Sequence, residues 1–437
     1  MPGPTLGATG DQSSDTAATG DQPSDAAATA ASKTVLTEPQ GGPPSRATVA
    51  VLGGLAALGP LTTDLYLPAL PTLTTDLGST AATAQLTLTG SMFGMAFGQL
   101  LFGPLSDRLG RRSPLLVGMT LYTLATVVCA LAGSVPLLIA GRCLQGFAGA
   151  AGLVIARAIA RDRYEGVAMI RFMASLGVIS GLAPILAPVL GAQLLHLTSW
   201  RGTFVALALL GALLTVGARL ALRESLPPGR RHADGIGSTV HAIGDLLRDR
   251  RFLGYTLTST FGFGALFAYV SGSSSVLQTE YAISPQLYSL VFATNSIAVV
   301  GFTQLNGRLL IQKLPAPTLM LIGLGGAGIA GAAVVLVTTV WHPGLPGVWP
   351  ALFLLMASMG IVLPNSAAQA LTMAPHAAGS ASALIGTGTF LCGAIVAPLS
   401  SAGGSPSATL LGAVVLGCAV LAVVTFTTLC RPWRREI

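Results

Sequence analysis

Charge is what this chain has least of. Asp, Glu, Lys and Arg make up 9% of its 437 residues and hydrophobic residues 52%, whereas a soluble domain carries about 25% charged residues. So few charges cannot cover a water-facing surface, so most of the outer surface must face lipid; the mean hydropathy of +0.71 agrees. Catalytic signatures are missing too. There is no Gly-x-x-x-x-Gly-Lys-Ser/Thr loop, Gly-x-Ser-x-Gly elbow or His-Glu-x-x-His run, which argues against an ATP-driven pump, an intramembrane hydrolase and an enzyme in general. The cysteines, Cys129, Cys143, Cys392, Cys418 and Cys430, fall in apolar runs or at their ends without CxxC or Cys/His spacing, and read as small packing residues. The histidines, His196, His232, His241, His342 and His376, lie in loops and linker without ligand spacing, so neither metal nor cofactor is expected.

What the chain does have is twelve apolar runs, at roughly 47–70, 81–104, 114–133, 135–157, 168–194, 202–222, 252–277, 286–310, 316–340, 348–373, 378–400 and 407–430. Each approximates the roughly 20 residues that cross a hydrocarbon core. Their continuity favours helices over barrel strands, which alternate in shorter units. The expected fold is therefore an all-α membrane protein with twelve transmembrane helices. Of the 23 Lys and Arg, only Arg142 and Arg201 lie away from one side of such a topology. The positive-inside rule makes that side cytoplasmic, with both termini on it. This placement also removes the nucleic-acid reading of the +7 net charge; the bilayer is the expected partner of the surface.

Residues 1–45 set five acids against Lys33 alone and contain a near-repeat, Ala8-Thr-Gly-Asp-Gln-Ser-Ser-Asp-Thr-Ala17 followed by Ala18-Thr-Gly-Asp-Gln-Pro-Ser-Asp-Ala-Ala27. They lack the basic start and apolar core of a signal peptide, and read as a disordered cytoplasmic tail. The basic stretch 223–251, with Pro227 and Pro228, reads as a cytoplasmic linker between six-helix bundles at 46–222 and 252–430, followed by a short tail at 431–437. An internal echo supports two related halves: Phe302-Thr-Gln-Leu-Asn306-Gly307-Arg308 sits where Gly103-Pro-Leu-Ser-Asp107-Arg108 sits in the first half, with Asn306 in place of the acid. Such repeats with a substrate site between them are a recurrent transporter plan.

Three features carry chemistry. The loop Gly103-Pro-Leu-Ser-Asp107-Arg108-Leu-Gly110-Arg111-Arg112 gathers one carboxylate and three guanidiniums, so that Asp107 can pair with an arginine; its arginines also serve as topology signals. Asp64 is the one acid within an apolar run, where a central carboxylate costs about 2.5–3.5 kcal/mol by insertion scales and has to face a cavity or a partner. It fits a proton carrier, or an acid at the outer end of its helix. Pro68 and Pro71 break that helix and free carbonyls to line a cavity. Arg142 is the one base deep in a run; it pairs with Asp64 or clamps backbone carbonyls. In the fifth run, Gly181, Pro184, Pro188 and Gly191 make a kink that serves as a hinge or stands static.

Asp64-x-Tyr66-x-Pro68, the Asp107/Arg111/Arg112 loop, Arg142-x-x-Gln145-Gly146 and the Pro184/Pro188 run resemble the major facilitator drug:proton antiporters. Leu363-Pro364-Asn365-Ser-Ala-Ala-Gln-Ala-Leu371 and Ala378-Gly379-Ser-Ala-Ser382-Ala-Leu-Ile-Gly386 resemble the bicyclomycin and chloramphenicol resistance branch. The fifth run departs from the usual antiporter form, with Ala183-Pro184 for Gly-Pro and Gly191-Ala192 for a glycine pair. The resemblance implies the major facilitator fold, two pseudo-symmetric six-helix halves, and export of a small amphipathic drug against protons by alternating access. It implies proton coupling through Asp64 and Arg142, a conformational loop of Gly103, Asp107, Arg108, Gly110, Arg111 and Arg112, and a monomer. Apolar drugs need few polar handles; the candidates are Tyr66, Gln145, Phe261, Tyr269, Asn295, Asn365 and Gln369. A metabolite or sugar carrier on the same fold, and a membrane receptor without transport, are the rival readings. The excess of Arg over Lys, with abundant Ala and Gly, points to a GC-rich bacterium and its plasma membrane.

Overall fold

A computed structural model describes residues 46–164, 166–227, 229, 243–341, 344–403 and 405–431; the repeat tail, most of the linker and residues 432–437 lie outside the described residues. Among those described there is no strand, and twelve long helices account for nearly all of the chain. They are α1 Arg46–Asp64, α2 Ala81–Leu109, α3 Arg112–Ala130, α4 Val135–Arg163, α5 Gly166–Leu197, α6 Trp200–Ala221, α7 Arg250–Ser275, α8 Pro285–Leu305, α9 Ala316–Leu336, α10 Leu345–Thr372, α11 Ala378–Val396 and α12 Ala408–Thr425. Eleven of the corresponding segments are long and apolar enough to cross a membrane. The remaining helix, α5, is 32 residues long and carries its apolar stretch at Gly181–Leu197.

The packing repeats after six helices. In the first half α1 packs on α4, α5 and α6, α2 on α4, and α3 on α4 and α6; in the second half α7 packs on α10, α11 and α12, α8 on α10, and α9 on α10 and α12. The halves meet through α2 against α11 and α5 against α8, which are also equivalent under the same repeat. Small residues allow the closest approaches. A Cβ on Gly146 of α4 would overlap the Ser91 carbonyl of α2, and one on Gly191 of α5 would overlap the Leu65 carbonyl beyond α1.

Two local expectations change. The stretch from Gly103 to Leu109 is not a loop: α2 runs through Pro104 to Leu109 and stops at Gly110, whose φ of +93° suits glycine. The reversal is confined to Gly110–Arg111, and Asp107 faces Arg111 across a helix end. After α1 the chain does break at the prolines, with a 3-10 turn at Leu67–Ala69 and a short helix at Leu70–Asp76. The freed carbonyls do not line an open cavity, however. Ser274 Oγ of α7 donates to the Leu67 carbonyl, and Gln278 Nε2 donates to the Pro68 carbonyl at 3.2 Å.

Proline leaves similar orphans elsewhere, because it has no N–H for the carbonyl four residues earlier. Pro188 orphans the Pro184 carbonyl, which accepts from Ser296 Oγ of α8 at 3.2 Å. Pro364 orphans the Gly360 carbonyl, which accepts from Thr303 Oγ1 of α8 at 3.1 Å. The hydroxyl face of α8 thus makes both kinked helices, α5 in the other half and α10 in its own, tolerable in an apolar surrounding.

Candidate functional site

Asp64 ends α1 at the chain break and is 5% exposed, the one acid in the buried set of described residues. Arg142, in the first third of α4, is fully buried. Of the two readings of Arg142, pairing with Asp64 or clamping backbone carbonyls, the structure shows the clamp and no ion pair between the two. Arg142 Nη1 donates to the Thr62 carbonyl at 3.0 Å and to Gln145 Oε1 at 2.7 Å, while its guanidinium lies 4.5 Å from the Tyr66 ring centroid and 5.7 Å from that of Phe204. Carbonyl, amide and aromatic faces together offer a cation what one carboxylate would. Nε and Nη2 find no protein acceptor.

Around Arg142 the first half builds a closed polar net. Gln145 Nε2 donates to Thr126 Oγ1 at 2.8 Å, Thr62 and Tyr122 share a hydroxyl bond of 2.8 Å, and Tyr66 and Thr87 share one of 2.7 Å. The turn that follows Asp64 is held by the second half, through Ser274 and Gln278, whereas the partners of Arg142, which are Thr62, Gln145 and Tyr66, all lie in its own bundle. In the second half, Asn295 Nδ2 donates to Tyr269 Oη at 2.8 Å, Tyr269 stacks on Phe292, and Asn295 Oδ1 is buried without a donor.

The other candidates disperse. Asn365 Nδ2 donates to Asn306 Oδ1 at 3.0 Å and to the Ile361 carbonyl at 2.8 Å, a packing role between α10 and the end of α8. Phe261 and Gln369 are partly buried. Glu280, just beyond α7, accepts from the Ala408 backbone N–H at 2.7 Å and so caps α12. Hinge residues Gly181 and Pro184 face α8, and Gly191 sits on the α1 break.

The halves are sealed on the face opposite the arginines. Besides the Ser274 and Gln278 bonds, Gln85 Nε2 donates to the Ser271 carbonyl at 3.3 Å and Thr89 Oγ1 to the Ala394 carbonyl at 2.9 Å. Toward the arginine-rich face they part around a cavity of about 580 Å³, lined by Gln99, Leu100, Asp107, Arg157, Arg161 and Ser380 among others. In the sequence Arg157 and Arg161 are two of the arginines on the expected cytoplasmic side, and their i, i+4 spacing with Leu153 on α4 is the mark of a shared face; Gln99 of α2 carries no such mark.

At the cavity rim the Asp107 loop is an organised charge cluster. Arg111 pairs with Asp107, donates through Nε to Asp162 Oδ2 at 2.9 Å and reaches Ser106 Oγ at 2.8 Å. Glu224 accepts the backbone N–H groups of Arg111 at 2.8 Å, Arg112 at 3.2 Å, and Ser225 and Leu226 at 3.0 Å each. Burial works against its charge, but these four donors outweigh it and hold the Glu224 carboxyl below its ordinary range. Asp162 and Glu224 had no motif to mark them in the sequence. Arg108, by contrast, makes no ion pair among the described residues.

A family profile described as Major Facilitator Superfamily matches residues 52–398. The chain is 40% identical over 381 residues to an uncharacterized MFS-type transporter, YdgK, of Bacillus subtilis, covering 86% of this chain and 93% of the relative. It is 29% identical to a bicyclomycin resistance protein homolog of Haemophilus influenzae, covering 86% and 94%. It is 35% identical to a chloramphenicol resistance protein of Pseudomonas aeruginosa, covering 68% and 69%. Among solved structures, a bacterial homolog of the human lysosomal transporter Spinster, in an inward-facing and unoccupied conformation, superposes with a TM-score of 0.68 at 17% identity, covering 87% of this chain and 95% of the other, a likeness of fold.

Proposed function

The chain belongs to the Major Facilitator Superfamily, and we propose that it is a proton-driven exporter of small amphipathic drugs of the chloramphenicol or bicyclomycin kind. It works in a bacterial plasma membrane with the arginine-rich face and both termini in the cytoplasm. The bundles at 46–222 and 252–430 rock about the shared site, and the cavity open to the arginine-rich face is the cytoplasmic entrance for drug.

The observation that carries the proposal is Asp64: one buried carboxylate, at a helix break whose following turn is held by Ser274 and Gln278 of the other half. A carboxylate held out of water favours its neutral form, and opening the site to water on the other side favours release of the proton. Drug and proton then exclude one another through the charge of a single group. Each inward proton moves downhill by about 2.3 kcal/mol per 100 mV of membrane potential. Arg142 sets the second charge of the site, held rigidly by Thr62, Gln145 and Tyr66. The names of the resistance relatives support the substrate class.

The test is the pH change on adding chloramphenicol to the detergent-purified protein, with drug binding measured in parallel. Wild type releases protons on binding; Asp64→Asn binds drug without release. Undiminished release from Asp64→Asn sinks the coupling assignment.

A further inference from the structure

The cavity that opens to the arginine-rich face carries a charge imbalance. Arg111 on its wall is engaged by two carboxylates, Asp107 and Asp162, a trio with one net negative charge against the two positive charges of Arg157 and Arg161. Arg157 and Arg161 on the same wall make neither hydrogen bond nor ion pair among the described residues, and Asp107, already engaged by Arg111, is the one acid of the lining. The remaining wall is apolar or neutral, with Leu100, Leu153, Val154 and Leu371 facing Ser380 and Ser382 of α11. Arg157 is more than an interfacial anchor. At 1.5 Å per residue it lies about 9 Å deeper along α4 than Arg163, whose guanidinium turns outward to the Arg223 carbonyl.

We propose that Arg157 and Arg161 make this cavity a charge filter, which admits neutral and anionic amphiphiles and turns away lipophilic cations. The inference rests on the drug-export reading and narrows its substrate class. Low-dielectric walls focus the field of unpaired charges into a cleft, changing the local concentration of a charged ligand by about 10-fold or more. A neutral drug of the same shape is indifferent to that field. The volume, about 580 Å³, falls within the roughly 300–1,000 Å³ of small-molecule sites, so the filter acts on single drug-sized molecules.

The experiment uses the full-length protein in detergent, with tritiated chloramphenicol as tracer and three competitors: chloramphenicol, its hemisuccinate, and tetraphenylphosphonium. Wild type is expected to bind the hemisuccinate at least as well as the parent and the cation poorly. In the Arg157→Gln, Arg161→Gln double variant, hemisuccinate affinity falls about tenfold and that of the cation rises about tenfold, a modest share of what focused charge can deliver. Chloramphenicol binding stays within about twofold, since a neutral ligand feels no net force from the removed charges, and this also certifies folding. Arg163→Gln, outside the cavity, keeps the wild-type order. Competitor order unchanged in the double variant, with chloramphenicol binding intact, overturns the filter and leaves export standing. Absence of saturable chloramphenicol binding in wild type overturns the export reading for this drug class, and the filter with it.

Discussion

The two six-helix halves share one packing scheme and divide the chemistry unequally. The first half holds Asp64, Arg142, the Asp107–Arg111–Asp162 cluster and the Glu224 cap. At the matching helix end of the second half stands Asn306, bonded to Asn365, and its buried polar pair of Tyr269 and Asn295 is neutral. Even Glu280 is spent on capping α12. A duplicated scaffold thus keeps its packing while one copy carries the ionisable groups and the other offers a polar but uncharged surface. Under the proposed exchange, a single titration, that of Asp64, would reset the contact between halves.

The sharpest way to break this comparison is to neutralise one acid in each half. Asp64→Asn is expected to reduce proton-driven drug uptake into everted vesicles to background, whereas Glu280→Gln retains it, with some loss of thermal stability from the weakened cap. Equal loss in both would place coupling in both halves.

The matching helix ends come next. Arg111→Leu leaves the largely buried Asp162 without its counter-charge, while the more exposed Asp107 turns to water, and is expected to cost about 1–3 kcal/mol. Asn306→Ala removes a neutral hydrogen bond worth about 0.5–1.5 kcal/mol. Denaturant unfolding of the purified proteins, read by tryptophan fluorescence, gives the two numbers; similar values would erase the distinction.

Glycines at equivalent helix contacts sharpen it further. Gly191 of α5 abuts a backbone carbonyl, that of Leu65, while Gly393 of α11 abuts the side-chain rings of Phe263 and Phe267. Gly191→Ala is expected to destabilise by about 1–3 kcal/mol through overpacking against backbone, and Gly393→Ala by less, because rings can shift. The ratio of melting-temperature shifts checks this.

The smallest effect concerns Glu224. Its carboxyl is held below the ordinary value of 4.5, so its contribution to stability is full above that value and is lost as pH falls through the folded-state one. Glu224→Gln should flatten the acid limb of melting temperature against pH. An unaltered limb would mean that the cap holds as well when uncharged.

The linear chain declares its span count and its two-half plan, because a bilayer demands about 20 apolar residues per crossing whatever their neighbours. It also singled out Asp64 and Arg142, since charge within an apolar run is visible without coordinates. Packing settles which partners those side chains take. Asp64 and Arg142 stand apart because Thr62, Gln145 and Tyr66 satisfy the guanidinium first. Arg111 finds Asp162 and Glu224 across helices separated by 51 and 113 residues in the chain. Arg157 becomes a cavity wall because α11 stands off from α4 there. Hydropathy is additive along the chain and can be read from it, whereas the partner of a polar side chain is chosen by whichever helix the packing brings nearest.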